Sequence, residues 1–133
     1  MITTFDIVDI VWNQINNSEL KTIITGDVYK EARPVNSNVE DIVINCLPVN
    51  NEQLQEAVAN VNIHVPNLKI KVDNIQDSQP NLERLKDLTR IAVDLLSAWG
   101  EDYNYEVQQQ VLFSEGDQHY LNIRIEFFHI NYN

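Results

Sequence analysis

The sequence has 133 residues, 44% of them apolar, and its 20 acidic against 9 basic side chains give a formal net charge of −11. This length and composition predict a single domain over residues 1–133, and one cysteine excludes a disulfide framework. The charge disfavours binding to duplex DNA, which depends on Lys and Arg. Asp6 and Asp9 interrupt the first apolar stretch, and no run approaches the roughly 20 residues that span a membrane, so we expect a soluble intracellular protein.

The first predicted element is a helix. Thr3 or Thr4 is expected as its N-cap, with Asp6 in the first turn, where the helix dipole favours an anion. At 100° per residue one stripe of this helix is apolar and is predicted to face the core: Phe5, Val8, Val11, Trp12 and Ile15. Ile10 lies off this stripe and is expected to be exposed.

Two strands are predicted next. Gly26 is expected to supply a turn with positive φ before a short strand that contains Val28. The stretch Lys30 to Asn38 is polar and rich in turn-forming residues, and the apolar run Asp41 to Leu47 is predicted to return antiparallel to the first strand. Pro48 begins the segment that ends this run.

Alternation continues in a third strand, Ala57 to Val65, which Pro66 closes. In the strand before it, Ile42, Ile44 and Cys46 fall on the same side, which predicts a buried cysteine rather than a nucleophile. Between Pro66 and Pro80 we predict an irregular arm that contains a short alternation of Leu68, Ile70 and Val72. A connection this long is usually functional or mobile.

A second helix is predicted from about Asn81 to Trp99, with Gly100 in the C′ position. Trp99 is expected to be buried between this helix and the sheet. The helix has one wide apolar face: Leu82, Leu85, Leu88, Ala92, Leu95, Leu96 and Trp99.

The last predicted element is a β-hairpin whose apolar and polar residues alternate with a period of two, and its turn lies at Ser114 to Asp117. One apolar face is predicted from its alternating side chains: Tyr103, Tyr105, Val107, Val111, Phe113, His119, Leu121, Ile123, Ile125 and Phe127. The order of elements predicts an α+β fold, a mainly antiparallel sheet of about five strands with two principal helices packed on one face.

Motifs for chemistry are scarce. The three glycines form no phosphate-binding loop, and the serines lack a hydrolase elbow. The histidines, His64, His119 and His129, lack the spacing of a zinc site. We therefore predict no catalytic residue, no metal, no cofactor and no small-molecule substrate. Glu19-Leu20-Lys21 spells Glu-x-Lys, but a match of three residues arises by chance too easily to indicate a nuclease. Two alternatives stay open: a small metal-dependent nuclease with a dispersed site, and a monomeric adaptor domain.

The order of elements resembles that of small phage tail-completion proteins, the tail terminator group that joins a long tail to the head. Gly26-Asp27-Val28-Tyr29 stands where that group has a Gly-x-Val/Ile-Tyr turn, and Pro34 lies in the polar tip of the next loop. Ala57 to Val65, Leu82 to Trp99 and His119 to Phe127 match its third strand, its helix and its last strand. The likeness covers most of the chain, but the arm is longer than the direct strand-to-helix passage expected in the group.

This resemblance implies a non-enzymatic subunit of a ring, commonly a hexamer, whose lumen passes DNA without specific binding. It implies other tail and head-completion proteins as partners, no membrane, and a location in the cytoplasm of a bacterial host and, after assembly, in the virion. If the chain is such a subunit, the polar tip and the arm are expected to make protein contacts through Arg33, Pro34, Asn36, Asn38, Leu68, Lys69 and Lys71.

Overall fold

The computed structural model describes residues 3–47, 57–97 and 104–128. The elements in chain order are α1 (Thr4–Asn16), α2 (Glu19–Ile23), β1 (Val28–Lys30), β2 (Asp41–Cys46), β3 (Ala57–Pro66), β4 (Leu68–Val72), β5 (Ile75–Gln79), α3 (Leu82–Leu96), β6 (Asn104–Glu115) and β7 (Gln118–Phe128). The predictions made for Pro48, Trp99, Gly100, Tyr103 and His129 concern residues outside the described ranges.

Helix α1 begins after Thr3, which is the N-cap as predicted, and Asp6 completes a capping box with it. The Thr3 hydroxyl accepts a hydrogen bond from the Asp6 N–H at 3.1 Å, and the Asp6 carboxylate accepts one from the Thr3 N–H at 2.8 Å. The structure confirms most of the predicted face: Val8, Val11 and Ile15 are buried, Trp12 is partly buried against the core, and Ile7 joins them. Phe5 lies about 100° around the helix from the centre of this face and is 72% exposed. The predictions that Phe5 is buried and that Ile10 is exposed were wrong, since Ile10 is half-buried against the core.

The main sheet has five strands in the order β1-β2-β3-β7-β6. Three of its pairs are antiparallel, but β1 and β2 are parallel, with Val28 opposite Ile42 and Lys30 opposite Ile44. The predicted antiparallel return was therefore wrong. Residues 31–40 do not form a hairpin turn; they carry the chain back along the sheet, so that β2 starts beside the start of β1.

Helices α1 and α3 contribute to one hydrophobic cluster on a single face of this sheet, which confirms that part of the prediction. The largest fully buried side chains are Ile7, Ile15, Leu20, Ile42, Ile44, Ile63, Leu88, Leu96, Ile123, Ile125 and Phe127. Leu82 was predicted on the buried face of α3 but lies in the first turn and is 59% exposed. Cys46 is half-buried at the margin of the cluster.

Gly26 is required for close approach rather than for a positive φ. A Cβ atom at this position would lie 2.0 Å from Asp41 Oδ1 and 2.3 Å from the carbonyl oxygen of Glu40. The Gly26 N–H donates to that same carbonyl at 2.8 Å. Among the described glycines only Gly116 has a positive φ, of 58°. The sequence thus indicates the right residue for the wrong reason.

The arm is a regular hairpin and not an irregular segment. Strands β4 and β5 pair antiparallel in a separate sheet, with Val72 opposite Ile75. Asp73 and Asn74 form the turn with φ values of 50° and 63°, the left-handed region that a tight hairpin turn requires and that Asp and Asn tolerate. The prediction of irregularity failed because this turn contains no glycine.

A β-bulge in β6 changes which side chains face the core. The register of β6 on β7 shifts between Val107 and Gln109. Before the bulge, Tyr105 and Val107 lie opposite the inward-facing Phe127 and Ile125, as predicted. After the bulge the alternation is inverted, because one extra residue reverses the side on which each later side chain emerges. Val111 and Phe113 were predicted on the core face but lie on the outer one, opposite Asn122 and Tyr120.

Candidate functional site

Two projecting segments lie at the same end of the sheet, where β3 and β6 end and β2 and β7 begin. One is residues 31–40, named here the 31–40 loop, and the other is β4–β5 with its turn, named the 68–79 hairpin. Asp117, in the turn between β6 and β7, lines a concavity beside each of them. The fold thus brings together the two groups of predicted contact residues, one on either side of this turn.

Arg33 holds the 31–40 loop to the sheet. Its Nη1 donates to Asp41 Oδ2 at 3.2 Å, its Nη2 donates to Gln118, and Glu115 lies 3.7 Å away. The Arg33 side chain is 13% exposed and that of Asp41 is fully buried. Within the chain, therefore, Arg33 already has an internal function as an anchor.

The tip of the same loop is exposed. Asn36 adopts a φ of 64°, and the Ser37 N–H donates to the Pro34 carbonyl at 3.3 Å, which closes a turn. Val35, between them, is 89% exposed. The tip borders an open concavity of about 550 Å³ lined by Arg33, Pro34, Val35, Asn36, Ser37, Asn38, Glu115, Asp117 and Gln118. Pro34, Asn36 and Asn38 therefore lie together where an external contact could reach them.

The 68–79 hairpin is attached at its base and exposed along its length. Asn67 makes the attachment: its N–H donates to the Asp117 carbonyl at 2.9 Å, its Nδ2 donates to Ser78 at 3.0 Å, and its Oδ1 lies 2.7 Å from His119 Nδ1. All residues of β4 and β5 are exposed. The contacts of Asn67 that attach the hairpin at this end are thus polar.

The two faces of this hairpin differ in chemistry. Cross-strand pairing puts Lys69 beside Ser78 and Lys71 beside Gln76 on one face. The other face carries the exposed apolar side chains of the hairpin: Leu68, Ile70, Val72 and Ile75. The predicted contact residues Leu68, Lys69 and Lys71 consequently point to opposite sides, and a single partner surface cannot meet all three on one flat face.

A groove that the sequence did not reveal runs along α3. It has a volume of about 450 Å³ and is lined by Leu82, Leu85, Lys86, Thr89, Arg90, Val93, Asp94, Gln110, Leu112 and Leu121. Leu112 turns toward α3 only because of the bulge in β6. The four-residue spacing of Lys86 and Arg90 was the one available signal, since it places both on the same side of the helix.

The outer face of the sheet is covered with amides. Asn60 Nδ2 donates to Asn45 at 2.9 Å, and Asn122 Nδ2 donates to Asn62 at 2.7 Å and to Asn60 at 3.2 Å. These side chains satisfy one another across three neighbouring strands, β2, β3 and β7. The face is consequently polar without being charged at this place.

His64 lies at the end of this face that the 31–40 loop adjoins, on the polar side of its strand as predicted. Burial and then the nearby charge of Arg33 lower the pKa of His64 to about 4. Its ring lies 4.8 Å from that of Tyr120, which in turn stacks on Phe113 at 5.2 Å. Neutral His64 therefore contributes to an aromatic cluster and not to a charged site at physiological pH.

The features that a nuclease would need are not brought together. His64 lies on the outer face, whereas His119, paired with Val65, is on the inner one. Lys21 of the Glu-x-Lys sequence forms an ion pair with Asp27, which lowers the pKa of that carboxyl. Within residues 3–47, 57–97 and 104–128, no group of three or more His, Cys, Asp or Glu side chains is arranged to hold a metal ion. None of the described helices is long and apolar enough to cross a membrane.

Comparison of the sequence with protein-family models and with curated proteins finds no match. Comparison of the fold finds a chain from a solved structure described as the virion of the native gene transfer agent particle. The two chains superpose with a TM-score of 0.52 at 11% identity, over 89% of this chain and 90% of the other. The similarity is one of fold.

Proposed function

We propose that this chain is a non-enzymatic structural subunit of a phage or phage-like particle, and more specifically of a tail-completion (terminator) ring at the head-tail junction. The observation that carries the proposal is the fold similarity to a gene transfer agent virion chain, which extends over nearly the whole length of both chains. The order of elements in the sequence leads to the same class of protein independently.

The arrangement of the projecting segments supports an assembled state. A free 68–79 hairpin exposes apolar side chains that a partner could cover, and the exposed tip of the 31–40 loop lies at the same end of the sheet. Strand β6 is a long edge strand, and edge strands are an aggregation hazard unless they are covered. Closed cyclic assembly removes that hazard. In the proposed hexameric ring, the contacts run between copies and to other tail and head-completion proteins.

The charge fits passage of DNA without retention. Each copy has a formal net charge of −11, and a ring multiplies this value, so the assembly repels phosphate backbones. We expect the protein in the cytoplasm of the producing bacterium and, after assembly, in the particle. The same charge makes copies repel one another, an effect that salt screens within about 10 Å at 0.1 M.

The test is light scattering of the purified chain over a range of salt concentrations, combined with electron microscopy. We expect closed rings whose proportion rises with salt, and no shift of linear duplex DNA in an electrophoretic assay. A strict monomer under all conditions would contradict the ring and favour the adaptor function. Cleavage of DNA that depends on Mg²⁺ or Mn²⁺ would contradict a structural role and favour the nuclease.

A further inference from the structure

The apolar face of the 68–79 hairpin has no cover within the described part of the chain. Leu68, Ile70, Val72 and Ile75 are between 42% and 70% exposed. An isolated two-stranded hairpin is marginally stable at best in water. An apolar row of this kind on a projecting hairpin is therefore expected to be covered by another surface.

The groove along α3 is a surface of matching character on a different part of the molecule. Leu85, Val93, Leu112 and Leu121 make it apolar, and no hairpin residue lines it. Leu112, although 41% exposed, lies on the inner side of the sheet beside the helix. The hairpin and the groove are thus separate patches on one chain, and within one copy the hairpin does not cover the groove.

The two patches also match in length. From Leu82 to Val93 the groove follows α3 for about 17 Å, at roughly 1.5 Å per helical residue. Each hairpin strand has five residues, and the four steps from its first to its last residue extend about 14 Å at roughly 3.4 Å each. One hairpin can therefore occupy the groove along most of its length.

Charge adds direction to this match. Asp77 lies opposite Ile70 and thus on the apolar face of the hairpin. Lys86, Arg90 and Asp94 border the groove, which leaves its lining with a net charge of +1, opposite in sign to Asp77. Most exposed charge on this protein is acidic, so a basic border of this kind favours an acidic occupant.

We infer that the groove along α3 of one copy binds the apolar face of the 68–79 hairpin of a neighbouring copy. This inference rests on the proposed ring, because the contact between hairpin and groove is the one that joins neighbouring copies of the ring. Hairpin and groove are different patches, so the contact is head-to-tail, and such contacts give closed rings where the rotation between copies closes.

Two charge-matched pairs of variants test the inference in the full-length chain. Ile70→Asp places a carboxylate on the apolar face of the hairpin, and Gln76→Asp adds the same charge to its opposite face as a control. Leu112→Asp does the same in the groove, and Gln109→Asp, on the outer side of the same strand, is its control. All four positions are exposed, and circular dichroism verifies that each variant is folded.

Mixing the variants gives the most specific result. Ile70→Asp keeps an intact groove, and Leu112→Asp keeps an intact hairpin, so together they can form one contact and no more. We expect each to be monomeric alone, the equimolar mixture to give a 1:1 dimer by native mass spectrometry, and both controls to assemble as the wild type does. A cysteine pair provides a second measurement that does not depend on destabilised variants: in a Cys46→Ser background, Ile70→Cys and Leu112→Cys proteins should cross-link on oxidation, whereas Gln76→Cys and Leu112→Cys should not.

The outcomes separate this inference from the ring proposal. If the wild type forms rings and the Ile70→Asp and Leu112→Asp variants form them equally well, the hairpin does not bind the groove, but the ring proposal stands. If only one of the two variants fails to assemble, or their mixture yields no dimer, the pairing of these two patches is wrong. If the wild type is monomeric at every salt concentration and the cysteine pair does not cross-link, both proposals fall.

Discussion

Replacing Asp41 with asparagine tests whether charge holds the 31–40 loop in place. In the wild type, Asp41 Oδ2 accepts hydrogen bonds from Arg33 at 3.2 Å and from the Ser37 hydroxyl, while Oδ1 accepts one from the Asp27 N–H at 3.1 Å. Asparagine can keep the bond from Asp27, and the Ser37 hydroxyl can turn to accept from its NH₂ group, but that group also faces Arg33, which can only donate. Hydrogen bonds to charged groups contribute about 1.5–3 kcal/mol each. Because Arg33 retains Gln118 as a partner, we expect the free energy of unfolding to fall by about 2–4 kcal/mol.

Asp9→Asn is the matched control, because it makes the same chemical change in an exposed ion pair. Asp9 accepts from Lys30 Nζ at 2.7 Å, and the two side chains are 53% and 44% exposed. Exposed pairs contribute about 0–1 kcal/mol, so this variant should remain within about 0.5 kcal/mol of the wild type. The assay is urea unfolding at pH 7, with the m-value verifying a two-state comparison. Equal midpoints for the two variants would refute the assignment of Asp41 as a buried anchor.

Three further measurements test the surroundings of His64, Gly26 and Cys46. The pKa of His64 is lowered to about 4, so between pH 4 and the ordinary value of 6.5 the folded state binds fewer protons than the unfolded state. The free energy of unfolding is therefore highest above pH 6.5 and falls by about 2 kcal/mol by pH 5. His64→Gln should reduce this loss, and a variant with the same pH profile as the wild type would disprove the assignment. Gly26→Ala should lower the urea midpoint steeply, since its Cβ would lie 2.0 Å from the buried Asp41 carboxylate, and a stability equal to the wild type would show that this contact relaxes freely. Burial raises the pKa of the Cys46 thiol to about 11, so alkylation by iodoacetamide at pH 8 should be at least tenfold slower in the folded protein than in urea, and equal rates would contradict that environment.

The sequence predicted those helices and strands that are determined by residues close to one another in the chain. Thr3 was predicted as an N-cap and caps α1. The start of α3 was predicted at about Asn81, and Asn81 proves to be its N-cap, whose side chain accepts from the Arg84 N–H at 3.2 Å. Strand β3 followed directly from its alternation. In each case the determining residues lie within a few positions of one another, so the sequence alone displays them.

Features that depend on distant partners were not predictable in the same way. Alternation reports which side of a strand is apolar but not its direction, so the parallel pairing of β1 with β2 was not apparent. The bulge after Val107 is visible only in the register with β7 and reverses the side on which Val111 and Phe113 emerge. The groove along α3 depends on that bulge through Leu112, which is why sequence reasoning missed this part of the candidate site.

The contact residues proposed from the sequence divide along the same line. The polarity of the segment around Pro34 and Asn36 correctly suggested an exposed tip, because exposure of polar turn residues is a local property. Arg33 is different, since its partners Asp41, Gln118 and Glu115 come from three separate strands. From the sequence alone, an arginine of this kind is predicted to be a free surface charge, because its partners are distant in sequence.

The 68–79 hairpin can change in length without a change in the core. All residues of β4 and β5 are exposed, so adding or removing a facing pair leaves no cavity and breaks no buried contact. Each added pair extends the reach of the hairpin by about 3.4 Å. The distance to which this segment extends is thereby uncoupled from the stability of the main sheet.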